Sequence, residues 1–145
     1  MYLSYFKYMI KHKWLVALEC FKMGLYWQGI THDLSKFLPS EAIPYAKFYN
    51  SNKRNKTEED SIEFHYAWNL HQKRNKHHWN YWISILDGEI KPLPMPEKYV
   101  RELVCDWAVL GKIFGLPPKA YYEKNKHKIM FHEETEKLFL KYVGE

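Results

Sequence analysis

The sequence predicts an all-α protein, a single-domain bundle of about six helices over residues 1–145. Three observations lead there. Apolar residues recur at spacings of three and four over long stretches, the signature of helices with one buried face. Gly29, Pro39, Gly88, Pro96, Gly115 and Pro117 mark the starts and stops between those stretches. No convincing strand run, internal repeat or Gly-rich phosphate loop interrupts them. With 145 residues, 46% apolar and 27% charged, the chain is long enough to bury a core and too apolar for a disordered protein.

The elements follow in order. From Tyr2 to Tyr26 there is no proline, and the one glycine, Gly24, lies near the end. Lys7, Lys11 and Lys22 share one side of this predicted helix, whereas Tyr5, Tyr8, His12, Val16, Glu19 and Met23 share another, so His12 and Glu19 look inward. Gly29 supplies the stop, and Thr31 to Leu38 leads into a second helix from Pro39 to about Tyr49. The polar tract Ser51 to Lys56 reads as an exposed loop. Thr57, followed by Glu58, Glu59 and Asp60, is a strong helix start, with acids at the positive end of the dipole. One long helix is expected from there to about Leu86, ending at Asp87-Gly88. The prolines between Lys91 and Pro96 forbid helix. Pro96 then serves as the first residue of a helix reaching Phe114, with Gly115 as its stop. Pro117 and Pro118 open a short helix with Tyr121 and Tyr122, and a last helix covers about Lys128 to Tyr142.

Lys plus Arg number 22 against 17 Asp plus Glu, for a net charge of +5, and residues 1–56 hold nine basic and three acidic side chains. That excess is small enough to be a solvated lysine face, which makes nucleic-acid binding the weakest of the functional readings. No run approaches the eighteen or so apolar residues of a membrane span, and no secretory signal is recognisable, so the expectation is a cytoplasmic protein without a membrane partner. Cys20 and Cys105, far apart in apolar helical patterns, read as buried free thiols.

The chemistry concentrates in histidines and carboxylates. Adjacent His32 and Asp33 can both reach one divalent cation if a turn aims them inward. Around them stand His12 on an inward helix face, His71, the pair His77-His78, and Asp106 within the apolar run Val104 to Leu110. A buried Asp106 needs a cation, a hydrogen-bond network or a proton. His71, Asn75, His78 and Trp82 share a face of the expected long helix, but a straight helix separates His71 and His78 by about 10 Å, too far for one metal. Either two metals bind, or the helix breaks, or His71 lies nearer the metal and His78 nearer a phosphate; the last is the arrangement favoured. His77 is expected at the surface, as are Lys73, Arg74 and Lys76, while Trp79 and Trp82 are expected in the core. Glu19 is either an orienting group or an ion pair. His65, six residues before His71, falls well off the His71 face, and His127 and His132, without matched partners, are expected as surface or packing residues.

The order His12, His32-Asp33, later histidines and Asp106 resembles the HD-domain superfamily of metal-dependent phosphohydrolases, and implies that these residues bind a divalent metal within a helical bundle. The string His32-Asp33-Leu34-Ser35-Lys36 is similar to the variant found in members with extra histidines and two metals, and implies that Lys36 contacts substrate. A closer resemblance covers nearly the whole chain, to a family of small phage and bacterial proteins of unknown function; it rests on His12-Lys13-Trp14, His32 to Phe37, Asn75 to Trp82, Asp106-Trp107 and Tyr122 to Lys126. The expected function is hydrolysis of a nucleotide or other small phosphorylated molecule, with Mn²⁺, Fe²⁺ or Zn²⁺, one or two ions, held by His12, His32, Asp33, His71 and Asp106. Asp33, Lys36 and His78 would act on the substrate. The alternatives are a non-catalytic protein that sequesters a nucleotide in the same pocket, and a di-iron oxygenase.

Overall fold

The computed structural model describes residues 2–50 and 57–144, so the expected Ser51 to Lys56 loop lies outside the described residues. Among them are seven α-helices and one small hairpin. The helices are α1 (Leu3–Lys22), α2 (Tyr26–Thr31), α3 (Pro39–Asn50), α4 (Glu58–Arg74), α5 (Glu97–Phe114), α6 (Pro118–Asn125) and α7 (Glu133–Val143); β1 (Ile83–Leu86) and β2 (Glu89–Pro92) pair antiparallel between α4 and α5.

Two helix ends differ from expectation. The first helix stops at Lys22 because Gly24 takes a left-handed conformation (φ +72°), so α2 becomes a separate element. Gly29 is then not a stop. It lies inside α2, where a Cβ would come within 2.6 Å of the Phe21 ring, and its lack of a side chain lets α2 pack closely on α1. The second difference is larger. Thr57 caps α4 as expected, its hydroxyl accepting from Asp60 N–H while Asp60 accepts from Thr57 N–H, but α4 ends at Arg74 rather than near Leu86. Beyond it, Asp87 and Gly88 have φ +48° and +80° and join two short strands, with Ile85 opposite Ile90. An Asp-Gly pair between two short strands favours this tight hairpin turn, whose two central residues both need positive φ.

The later helices sit close to expectation. Pro96 precedes α5 as its cap, Gly115 ends it with φ +76°, and Pro118 opens α6. The last helix starts later than expected, at Glu133 behind a capping His132. Helix α5 packs on both sides. Val100, Leu103 and Val104 join Met95, Tyr122 and Phe139 in one apolar cluster, while Cys105 and Val109 join Val16, Cys20 and Leu25 of the N-terminal part in another. Tyr5, Met9 and Ala46 tie α1 to α3. Both cysteines are buried free thiols, Trp79 and Trp82 pack partly buried against the first cluster, and no described helix is long and apolar enough to cross a membrane.

Candidate metal centre

The polar residues at the centre come from α1, the turn after α2, α3, the end of α4 and the break after it, and α5. His12 lies on the inward face of α1, 6% exposed. His32 ends α2, and Asp33 takes a left-handed backbone (φ +53°) that non-glycine residues seldom adopt. That turn reverses the chain so that both neighbouring side chains meet, His32 Nε2 lying 3.5 Å from Asp33 Oδ2. Lys13 fixes the turn to α1 by donating to the carbonyls of Ile30 and His32 at 2.8 and 2.7 Å, which satisfies acceptors left over at the end of α2.

The break after α4 brings in the remaining histidines. Asn75 is extended, and its Nδ2 donates to His71 O at 2.8 Å and to Ser35 Oγ at 2.7 Å. The chain then folds back, and His78 Nε2 comes 2.8 Å from His71 Nε2. Of the three arrangements open in the sequence, the helix break is the one found, and the roughly 10 Å separation does not arise. His77, expected at the surface, is 1% exposed. It leaves the helix before it can be carried to the outer face, and its ring lies 4.4 Å from that of His32, centre to centre.

From α5, Asp106 accepts a hydrogen bond from His12 Nε2 at 2.8 Å. One turn earlier, buried Glu102 takes His32 Nδ1 at 3.0 Å and His77 Nδ1 at 3.2 Å on the same oxygen. Glu41, fully buried on α3, takes His71 Nδ1 at 2.9 Å and is held in turn by Arg74 and Ser35. Neither glutamate was among the sequence candidates. Glu102 was findable, since it sits four residues before Asp106 on the same face of an apolar helix; Glu41, in the first turn of α3, looks like an ordinary acidic helix start.

The inner atoms converge. Asp33 Oδ1 lies 3.3 Å from His71 Nε2 and 3.4 Å from His77 Nε2. His32, His77 and Asp106 form one group of potential ligands, His12, His32 and Asp33 a second, and Asp33, His71 and His78 a third, with the ligand atoms of each group within 4.8 Å of one another. His32 Nε2, His77 Nε2 and Asp33 Oδ1 are buried with no hydrogen-bond partner. Unpaired buried polar atoms are costly. A histidine whose outer nitrogen binds a carboxylate while its inner nitrogen has no hydrogen-bond partner has the form of a metal ligand with its supporting shell, and His32 and His77 both meet that description. The donor set therefore fits a divalent cation.

Electrostatics agree with a charged cluster. Burial pushes the Asp33 carboxyl up, but the charges of His32, Lys36 and His71 outweigh it and hold the group well below the usual carboxylate range. Asp106 is held down against burial by the His12 hydrogen bond and by His32 and His77. Burial alone would lower His77, yet Glu102 and Asp33 lift it to about 8. His78 goes the other way, driven well down by burial and by the neighbouring His77 and His71. Lys36 Nζ pairs with Asp33 Oδ2 at 2.7 Å.

A cavity of about 550 Å³ opens beside the cluster, lined by His12, Asp33, Lys36, His71, His78 and Asp106 and walled by aromatic rings that include Tyr8, Trp68, Trp79 and Trp107. That volume falls in the usual range for small-molecule sites. Trp79 thus faces the cavity as well as the core. Glu19 forms an ion pair with Lys112 and Lys22 at the surface, Lys73 and Lys76 are exposed, and His65 and His127 are exposed as well.

The fold and this centre define an all-helical protein with a buried histidine–carboxylate cluster able to hold a metal ion. The chain belongs to a family of unknown function (DUF5662), which matches residues 1–145. No HD-domain family matches it. Comparison with curated proteins and with solved structures gives no match.

Proposed function

We propose that this chain is a metal-dependent phosphohydrolase acting on a nucleotide or another small phosphorylated molecule. The observation that carries the reading is the pair of buried histidines, His32 and His77, each with Nδ1 on Glu102 and an inner Nε2 with no hydrogen-bond partner. His32, His77 and Asp106 would hold one cation, with His12 and Asp33 beside them, and Asp33 with His71 would hold a second where two bind, leaving His78 toward the substrate. Bound Mn²⁺, Fe²⁺ or Zn²⁺ supplies Lewis acidity toward a phosphoryl oxygen and lowers the pKa of water.

The chain's own groups supply the rest. Lys36 places an ammonium charge at the cavity wall next to Asp33, where it can offset charge building on a phosphate. His78, kept neutral by burial and by its histidine neighbours, can share a proton with a phosphate oxygen without adding repulsion inside the cluster. Asp33 Oδ1 is an acceptor without a hydrogen bond, available to orient an attacking water. The aromatic walls suit a substrate with a flat ring system.

The test is metal content by mass spectrometry of protein purified without chelator, compared with a His32→Ala, Asp33→Ala double variant that keeps its circular dichroism, followed by phosphate release from nucleotides and aryl phosphates. The expected result is stoichiometric metal in the native chain, its loss in the variant, and phosphate release that depends on the metal. No metal after incubation with Mn²⁺, Fe²⁺ or Zn²⁺ refutes the reading. A nucleotide bound tightly and returned unchanged would identify a sequestering protein instead, and an iron-dependent absorption band with oxygen consumption an oxygenase.

A further inference from the structure

Two further phenols, on residues that line the same cavity, have buried oxygens without a hydrogen-bond partner. Tyr5 on α1 is 4% exposed, and Tyr45 on α3 is half-buried; both line the cavity, and both phenolic oxygens are buried with no hydrogen bond. Phenylalanine would fill the same volume without leaving a hydroxyl unpaired, so packing alone does not account for either oxygen. Lys36 lines the cavity with them. The Lys36 Nζ stands 5.9 Å from the centre of the Tyr45 ring, and that ring lies 5.9 Å from the His71 ring. Burial pushes the Tyr5 phenol up to about 12 and the Tyr45 phenol up as well, against the opposing charge of Lys36, so both remain O–H donors at neutral pH. Lys36 spends one of its three protons on Asp33 and keeps two for another acceptor.

Resting on the phosphohydrolase reading, we propose that Tyr5 Oη and Tyr45 Oη join Lys36 Nζ in a cradle that binds the non-bridging oxygens of the substrate's phosphoryl group. Two neutral donors and one ammonium, coming from three different elements, suit a compact tetrahedral oxyanion held next to the histidine–carboxylate cluster. The phenols are binding groups in direct contact with the substrate. They orient the phosphoryl group and take no proton from it.

The experiment is calorimetric titration of the Mn²⁺-loaded protein with inorganic phosphate, for the native chain and for Tyr5→Phe and Tyr45→Phe, with manganese content and melting temperature measured on the same samples. Loss of a hydrogen bond to a charged acceptor predicts phosphate binding weakened about tenfold or more in each variant. Manganese content should be unchanged, and the melting temperature of the phosphate-free protein equal to the native value or above it, because an unpaired buried hydroxyl has been removed. Phosphate affinity unchanged in both variants overturns the cradle and leaves the phosphohydrolase reading standing. Phosphate affinity lost together with manganese also overturns it, since the phenols would then be supporting the cluster. Failure of the native manganese-loaded chain to bind phosphate at all would overturn the phosphohydrolase reading itself, and the cradle with it.

Discussion

Replacing Glu102 by Gln removes one negative charge and almost no volume from the point where two candidate ligands are held. One oxygen of Glu102 accepts from His32 Nδ1 at 3.0 Å and from His77 Nδ1 at 3.2 Å, in a setting 5% exposed. In the native chain both bonds are assisted by the carboxylate charge, which fixes the proton on each Nδ1 and leaves each Nε2 free to ligate. A glutamine oxygen can still accept, but a neutral acceptor gives about half the strength of a charged one, and an amide turned the other way presents N–H to two ring nitrogens and reverses their tautomers. Loss of such supporting bonds typically weakens metal binding about 10- to 100-fold, or about 1.4–2.7 kcal/mol. Isothermal titration with Mn²⁺ or Zn²⁺ measures it, circular dichroism checks the fold, and Glu19→Gln, which disturbs only a surface ion pair, should leave affinity unchanged. Native metal affinity in a folded Glu102→Gln variant would refute the assignment of His32 and His77 as supported ligands.

The metal-free protein should lose stability on the alkaline side. His77 is lifted from an ordinary 6.5 to about 8, so its contribution is full below pH 6.5 and is lost as pH rises through about 8, about 2 kcal/mol by linkage; urea unfolding in chelator at pH 6 and pH 9 reads this directly, and a flat profile would contradict it. The depressed carboxyls of Asp33 and Asp106 act in the opposite sense, their stabilisation being present above the usual carboxylate range and lost on strong acidification. Because a protonated histidine cannot ligate, metal affinity should rise with pH up to about 8, as titration at pH 6, 7 and 8 would show. Thr57→Ala removes the capping hydroxyl of α4 and should cost about 1 kcal/mol in urea unfolding with metal affinity unchanged. Gly111→Ala places a Cβ 2.7 Å from the Leu116 carbonyl oxygen, a backbone clash expected to cost about 1–3 kcal/mol and to lower the melting temperature.

Much of the helical frame is readable from the chain because its signals are local. Thr57 with Asp60, Gly115, Pro118 and the inward spacing of Tyr5, His12 and Val16 each act within one or two turns, so their effect does not depend on what lies across the molecule. The adjacency of His32 and Asp33, and the apolar run around Asp106, made those residues candidates for the same reason. Trp79 shows the limit of such reasoning, since a ring that packs on the core and also walls a cavity gives the same sequence pattern as one that only packs.

Local patterning along the chain specifies an all-helical protein with several histidines and carboxylates placed to face inward. Which of them meet depends on long-range contacts. The spacing of His71, Asn75, His78 and Trp82 is that of a continuing helix, but Asn75 bonds the end of α4 and also Ser35, on the turn that follows His32. That long-range bond accompanies the end of the helix at Arg74, folds His77 and His78 back into the cluster, and frees residues 83–92 to pair as a hairpin. Periodicity reports which face a residue would occupy if its helix continued. Where the helix stops is settled by backbone groups finding better partners elsewhere, and those partners lie outside any local window of sequence.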